Sequence, residues 1–194
     1  MRLFLVSSCL VALLLAACGE CNTGKESWTE LDGGALSPDQ QRQRALALGA
    51  RDALFGQLSN RLMTAMGDGG PAAAIDVCRD AAPQLAAEVS KAHGVTIGRT
   101  SHKLRNPKNA APAWASSYVE SKAEENVLLA AKDGRLGALL PISIQQACLG
   151  CHGDAAKLAA PVKEALAAHY PDDQATGFSR GDLRGWFWVE VPAN

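Results

Sequence analysis

Five consecutive residues constrain this chain more than anything else in it: Cys148-Leu149-Gly150-Cys151-His152. On a helical turn, positions three or four apart share a face, so two thiols and one imidazole can address a single object. The spacing is that of c-type haem attachment, in which the thiols of Cys148 and Cys151 add to the two vinyl groups and His152 supplies the proximal nitrogen to iron. Six cysteines and four histidines in 194 residues make a chance match rare, on the order of a few in a thousand. Three blander readings fit less well. Structural zinc requires four nitrogen or sulfur ligands, and the other Cys-x-x-Cys pair, Cys18-Gly19-Glu20-Cys21, lies far upstream at the end of the apolar N-terminal run. A thioredoxin-like pair belongs after an early strand, and a plain disulfide leaves His152 unexplained. One covalent haem c per chain is the expectation, and the fold must then supply a pocket beside these residues.

The N-terminus indicates where such chemistry takes place. Met1-Arg2 is a minimal positive region, and Leu3 to Ala16 form an apolar run too short to span a membrane, which requires about 20 residues. The run ends in Leu15-Ala16-Ala17-Cys18, which resembles a bacterial lipobox; the alternative is an ordinary cleaved signal. Residues 1–17 are thus expected to be a lipoprotein signal peptide and Cys18 the lipidated residue. Gly19 in second place points to the outer membrane, with the protein on the periplasmic side. Residues 18–36, polar and Gly-rich, are expected to form a flexible tether, and 37–194 the haem domain. No role is assigned to Cys21. Nineteen Lys and Arg against twenty Asp and Glu leave no cationic surplus to displace counterions from a phosphate backbone, which argues against nucleic acid as a partner.

Ser37-Pro38-Asp39-Gln40 has the form of a helix start, with Ser as cap, Pro in first place and Gln three after the cap. Leu46, Ala50, Leu54, Leu58, Leu62 and Met66 follow at four-residue spacing as one buried stripe. Gly67-Asp68-Gly69-Gly70 predicts a stop, Pro71 a second helix through Ile75 and Cys78, and Pro83 a break or kink before a further piece ending near His93-Gly94. Val95 to Ile97 predicts a strand. Thr100 to Pro112 is a polar loop, and a short helix follows Trp114. Val127 to Ala131 and Leu136 to Leu140 flank Asp133-Gly134, a hairpin signal. After a helix over 155–169, Asp182 to Val191 alternates, with Trp186 and Trp188 on one face and Phe187 and Val189 on the other. Helices first and antiparallel strands later predict an α+β fold.

Four ordered motifs resemble those of a known family of exported single-haem c-type cytochromes: Ala74-Ile75-Asp76-Val77-Cys78 with Ala82-Pro83, Thr100 to Pro107 with Trp114, Cys148 to Gly153, and Asp182 to Trp186. The chain departs from the pattern at Ala115, where an acidic residue is usual, and in the displaced Pro112. The resemblance implies a PAS-like antiparallel sheet with a long N-terminal helix and flanking helices. It also implies His/Cys ligation, with His152 proximal and the Cys78 thiolate as sixth ligand. The other distal candidates are Met63, Met66, His93, His102 and His169. His102 falls at a position that is usually apolar in that family. Independently, Ile75 and Cys78 lie three apart on a helix, which sets the sulfur beside an apolar neighbour. A lone buried cysteine is usually a small hydrophobe, but ferric iron favours a thiolate.

Among the remaining residues, Arg105 and Arg184 suit haem propionates or a solvated surface. Trp186 and Trp188 suit a haem wall or plain core. His93 and His169 suit helix ends, and Met63 and Met66 suit helix packing. No acid/base pair or nucleophile dyad is evident, so periplasmic electron transfer or redox sensing with a protein redox partner is expected. A haem-based gas sensor and a haem peroxidase are the rival classes.

Overall fold

The structure, a computed structural model, describes residues 27–193; the expected signal peptide, Cys18 and Cys21 lie outside the described residues. Helix α1 (Pro38–Asp76) starts as the sequence predicts: Ser37 caps it and Gln40 closes the reciprocal bond, so two otherwise orphaned N–H groups are satisfied. The buried stripe is Ala47, Ala50, Leu54 and Leu58. Leu46, expected to lead it, is exposed, and Met63, expected to pack, is 57% exposed. The stripe drifts because 3.6 residues per turn does not hold a strict spacing of four. Gln43, also buried, donates from Nε2 to the carbonyls of Gly134 and Pro192, at 2.9 Å each, and ties the helix to the sheet.

The glycine run interrupts the helix as expected, and two helical pieces meet across a kink at Gly70. Gly70 adopts φ 74°, ψ −176°, a conformation open to glycine because it lacks Cβ, and Pro71 restarts the helix. Pro83, expected to break or kink the helix, marks a change of helix type. It sits in the first turn of α2 (Ala82–His93), directly after a π-helical segment, Val77–Ala81. In that segment the Ala82 N–H donates five residues back to the Val77 carbonyl. The widened turn removes the clash that proline would otherwise make with the preceding turn. Cys78 lies within this segment.

The strands are β1 (Trp28–Glu30), β2 (Thr96–Thr100), β3 (Val127–Ala131), β4 (Leu136–Ser143) and β5 (Leu183–Val191). They form one antiparallel sheet in the order β1-β3-β4-β5-β2. Short helices α3 (Ser116–Glu120), α4 (Leu149–His152) and α5 (Ala160–His169) flank it. The expected α+β class, with an antiparallel sheet, a long N-terminal helix and flanking helices, is the class observed. One boundary differs. Residues expected to be tether contribute β1, whose Trp28 ring lies 5.4 Å from that of Trp114, with the Arg135 guanidinium over it. A three-residue strand has no periodicity to read, so aromatic packing decides this boundary.

Each face of the sheet has its own core. Phe187 and Val189 pack with Leu128, Leu140, Ile97 and the α1 stripe. Trp186 packs on the other side with Trp114, Val119, Leu129 and Leu139, with Trp188 against them. The alternation along β5 is thus as the sequence predicts.

Candidate cofactor site

The Cys-x-x-Cys-His residues run from a 3-10 turn (Gln146–Cys148) into α4. A second segment, 173–178, is hydrogen-bonded along them: the Gly177 and Phe178 N–H groups donate to the carbonyls of Gly153 and His152 at 2.8 and 3.0 Å. Arg105 clamps the two together. Its guanidinium pairs with Asp173 at 3.0 Å and donates to the carbonyls of Cys151 (2.6 Å) and Ala175 (3.3 Å). Both partners are deeply buried, a setting in which an ion pair orders its surroundings and loss of either member is costly.

This clamp sets the state of His152. Its Nδ1 lies 2.7 Å from the Ala175 carbonyl, which only an N–H can satisfy, so Nε2 keeps its lone pair. Burial, with Arg105 and Arg184 adding to it, pushes the imidazole pKa down to about 3. A neutral ring with its distal nitrogen free and its other nitrogen fixed by a carbonyl is the state a metal ligand requires.

A cavity of about 1000 Å³, counted to its open mouth, lies between α1, the π segment, β2, β4, β5 and these residues. His152, Cys148, Cys78, Arg105 and Arg184 all line it, together with Phe55, Leu58 and Phe187. Cys151 is turned to the neighbouring side of α4, among Ile75, Leu158 and Tyr170, with its Sγ 3.8 Å from the Pro71 carbonyl. Burial pushes that thiol's pKa up. Cys78, Cys148 and Cys151 are all free thiols.

Of the six distal candidates, Cys78 alone lines the cavity among the described residues. His93 ends α2 beside Gly49. His102 packs edge-on against Phe178 and Trp186. His169 faces Arg79 and Asp76. Met63 and Met66 do not reach it. Trp186, expected as a wall, does not line the cavity: it is fully buried on the opposite face of the sheet and donates to the Ala123 carbonyl at 2.8 Å. Its neighbour Phe187 occupies the lining position, since adjacent strand residues point to opposite faces.

The charge of the cavity is one-sided. Arg184 donates to Ser101 Oγ (2.7 Å) and the Lys103 carbonyl (3.3 Å) and lies over the Phe178 ring. Burial lowers its pKa to about 10, with Arg105 and Arg99 contributing. A bulge aims it there: Ile142 pairs with Gly185 and Ser143 with Leu183, leaving Arg184 unpaired in the ladder. Gly185 at φ 156° makes the bulge possible, because a Cβ there would lie 2.2 Å from the Thr100 carbonyl oxygen.

A family model described as Tll0287-like matches residues 31–192. The chain belongs to the Tll0287-like family. Its fold is similar to the crystal structure of the cyanobacterial haem protein Tll0287, with a TM-score of 0.53 and 25% identity over 81% of this chain and 97% of that one. No curated protein matches it. In this Tll0287-like chain the sequence reading missed Arg99, Tyr170 and Asp173. The signal for Arg99 was present, a cation on the apolar-facing side of β2, but the strand was expected to end before it. Asp173 had none, because its importance depends on a partner 68 residues away.

Proposed function

We propose that this chain is an exported c-type haem protein, lipid-anchored through Cys18 on the periplasmic side of the envelope, that passes or senses single electrons with a protein redox partner. The reading rests on one arrangement: a neutral His152 whose Nε2 has no partner among the described residues, on an open cavity shared with Cys148, Cys78 and more guanidinium charge than carboxylate. A dianionic, largely apolar macrocycle matches that lining. In this reading Cys148 and Cys151 hold the haem covalently, His152 is the proximal ligand and the Cys78 thiolate the distal one. Arg184 meets the propionates, and Arg105, already paired with Asp173, orders the attachment loop behind them. When bound, haem supplies a one-electron couple whose potential the axial ligands tune. The family match and the printed description of Tll0287 as a haem protein support the cofactor.

A pyridine haemochrome spectrum of periplasmic extract tests the proposal. A c-type spectrum that survives denaturation and vanishes in Cys148→Ser/Cys151→Ser is expected; its absence from the unsubstituted protein overturns the reading. A ferric spectrum that Cys78→Ser leaves unchanged would remove Cys78 as ligand. Prompt binding of carbon monoxide or peroxide would favour the sensing and peroxidase classes over electron transfer. Loss of lipid labelling in Cys18→Ser is the expectation for the anchor, and unchanged labelling would refute it.

A further inference from the structure

Arg105 does more than close an ion pair. The residue is 7% exposed, and two of its nitrogens divide the work. Nε donates to Asp173 Oδ2 at 3.1 Å, while Nη2 donates to the carbonyls of Cys151 and Ala175, at 2.6 and 3.3 Å. Ala175 is fully buried, and its carbonyl oxygen also lies 2.7 Å from His152 Nδ1. One oxygen thus serves two donors, the guanidinium and the ring, which its two lone pairs allow. Asp173 fixes this geometry from the other side: its Oδ1 accepts the Ala175 N–H at 2.8 Å while its Oδ2 holds Arg105. The attachment motif, the 173–175 segment and Arg105 therefore form one buried network, in which each hydrogen bond alters the strength of the next. On the Ala175 oxygen the two donors compete. Electron density drawn by the cation is not available to the imidazole.

We propose that Arg105 is a positioning residue for the proximal ligand: by sharing the Ala175 carbonyl with His152 Nδ1–H it fixes the direction of the ring and limits how strongly that carbonyl draws on it, and so sets how much electron density Nε2 gives to iron. The inference rests on the haem reading above, with His152 as proximal ligand. A stronger bond at Nδ1 makes the opposite nitrogen a better donor, and a better donor stabilises the ferric state. Removing the guanidinium releases the Ala175 oxygen to His152 alone, so the potential falls.

The test uses the full haem-loaded chain with two readouts. One is redox titration. The other is the nuclear magnetic resonance of the His152 Nδ1 proton, in reduced protein under carbon monoxide, so that the iron is low-spin and diamagnetic whichever distal ligand it keeps. Arg105→Gln is expected to strengthen the ferric preference about tenfold, a fall of about 59 mV for one electron. It should also move the proton to higher chemical shift, the mark of a stronger hydrogen bond. Arg105→Lys keeps the charge but offers one nitrogen, which the Asp173 carboxylate claims, so it should resemble Arg105→Gln. Asp173→Asn leaves the guanidinium free to draw harder on both carbonyls, so both readouts should move the opposite way. This variant keeps the test decisive if the Arg105 variants accumulate no haem. A lower potential with an unmoved proton would mean that Arg105 acts on the iron through space, as would an Arg105→Lys protein that behaves like the unsubstituted one; either overturns the inference. A move to lower chemical shift in Arg105→Gln also overturns it, since that is what a clamp that only steadies the loop predicts. Absence of covalent haem in the unsubstituted chain breaks the functional reading. Covalent haem with His152 ligation and silent Arg105 and Asp173 variants breaks this inference alone.

Discussion

Trp186 and Phe187 are neighbours on one strand and lie in opposite kinds of interior. On the Trp186 side the sheet is closed. The indoles of Trp186 and Trp114 donate to the Ala123 carbonyl and the Glu190 carboxylate, at 2.8 and 2.7 Å, and apolar side chains fill the space between. On the Phe187 side the same strand borders an open cavity lined by Arg99 and Arg184, neither of which forms an ion pair among the described residues. Both faces carry a packed core, and only the Phe187 face adds beside it a cavity with a cationic lining. The contrast separates residues that hold the fold from residues that await a cofactor.

The largest effect belongs to the open face. Cys148→Ser/Cys151→Ser should abolish covalent haem entirely while the chain still folds, with haem stain on a denaturing gel and far-UV circular dichroism as the paired measurements. If that variant fails to fold, the division between the faces is wrong. The closed face should behave in reverse. Trp186→Ala should destabilise by about 3–5 kcal/mol, read as a lower denaturant midpoint in haem-free and haem-loaded protein alike, with haem stoichiometry unchanged in whatever folds.

A smaller effect sharpens the boundary between faces. Acidification of haem-free protein should cost stability between pH 6.5 and 3, because unfolded His152 binds a proton over that range and the buried imidazole does not. Urea midpoints at pH 7 and 4.5 should differ less in a haem-free His152→Gln variant; an equal difference would show that carboxylates alone carry the effect. The smallest effect lies far from both faces. Ser37→Ala should remove the cap of α1 for about 1 kcal/mol with no change in the haem spectrum, and a spectral change there would show that α1 transmits strain to the cavity.

Legibility tracked the range of the interactions involved. The cap at Ser37, the hairpin at Asp133-Gly134 and the alternation along β5 rest on contacts within a few residues, and all were read correctly. At Pro83 proline's local rule predicts a break or kink, and the chain meets it with a π turn, a form that the local rule does not specify. β1 was missed because its three residues are held by Trp114 and β3 and carry no pattern of their own.

The same division runs through the site. Cys148, Cys151 and His152 announce a cofactor from their spacing alone, since the reach of a helical turn requires no tertiary information. Tertiary structure alone decided that His152 is neutral and oriented by the Ala175 carbonyl and that Arg105 is committed to Asp173, while Cys78, singled out in the sequence by the family resemblance, is the one distal candidate that borders the cavity among the described residues. It also decided that Phe187 and not Trp186 is the wall. Each of these depends on desolvation or on partners tens of residues apart, and burial is a property of how elements pack, which a linear pattern does not encode.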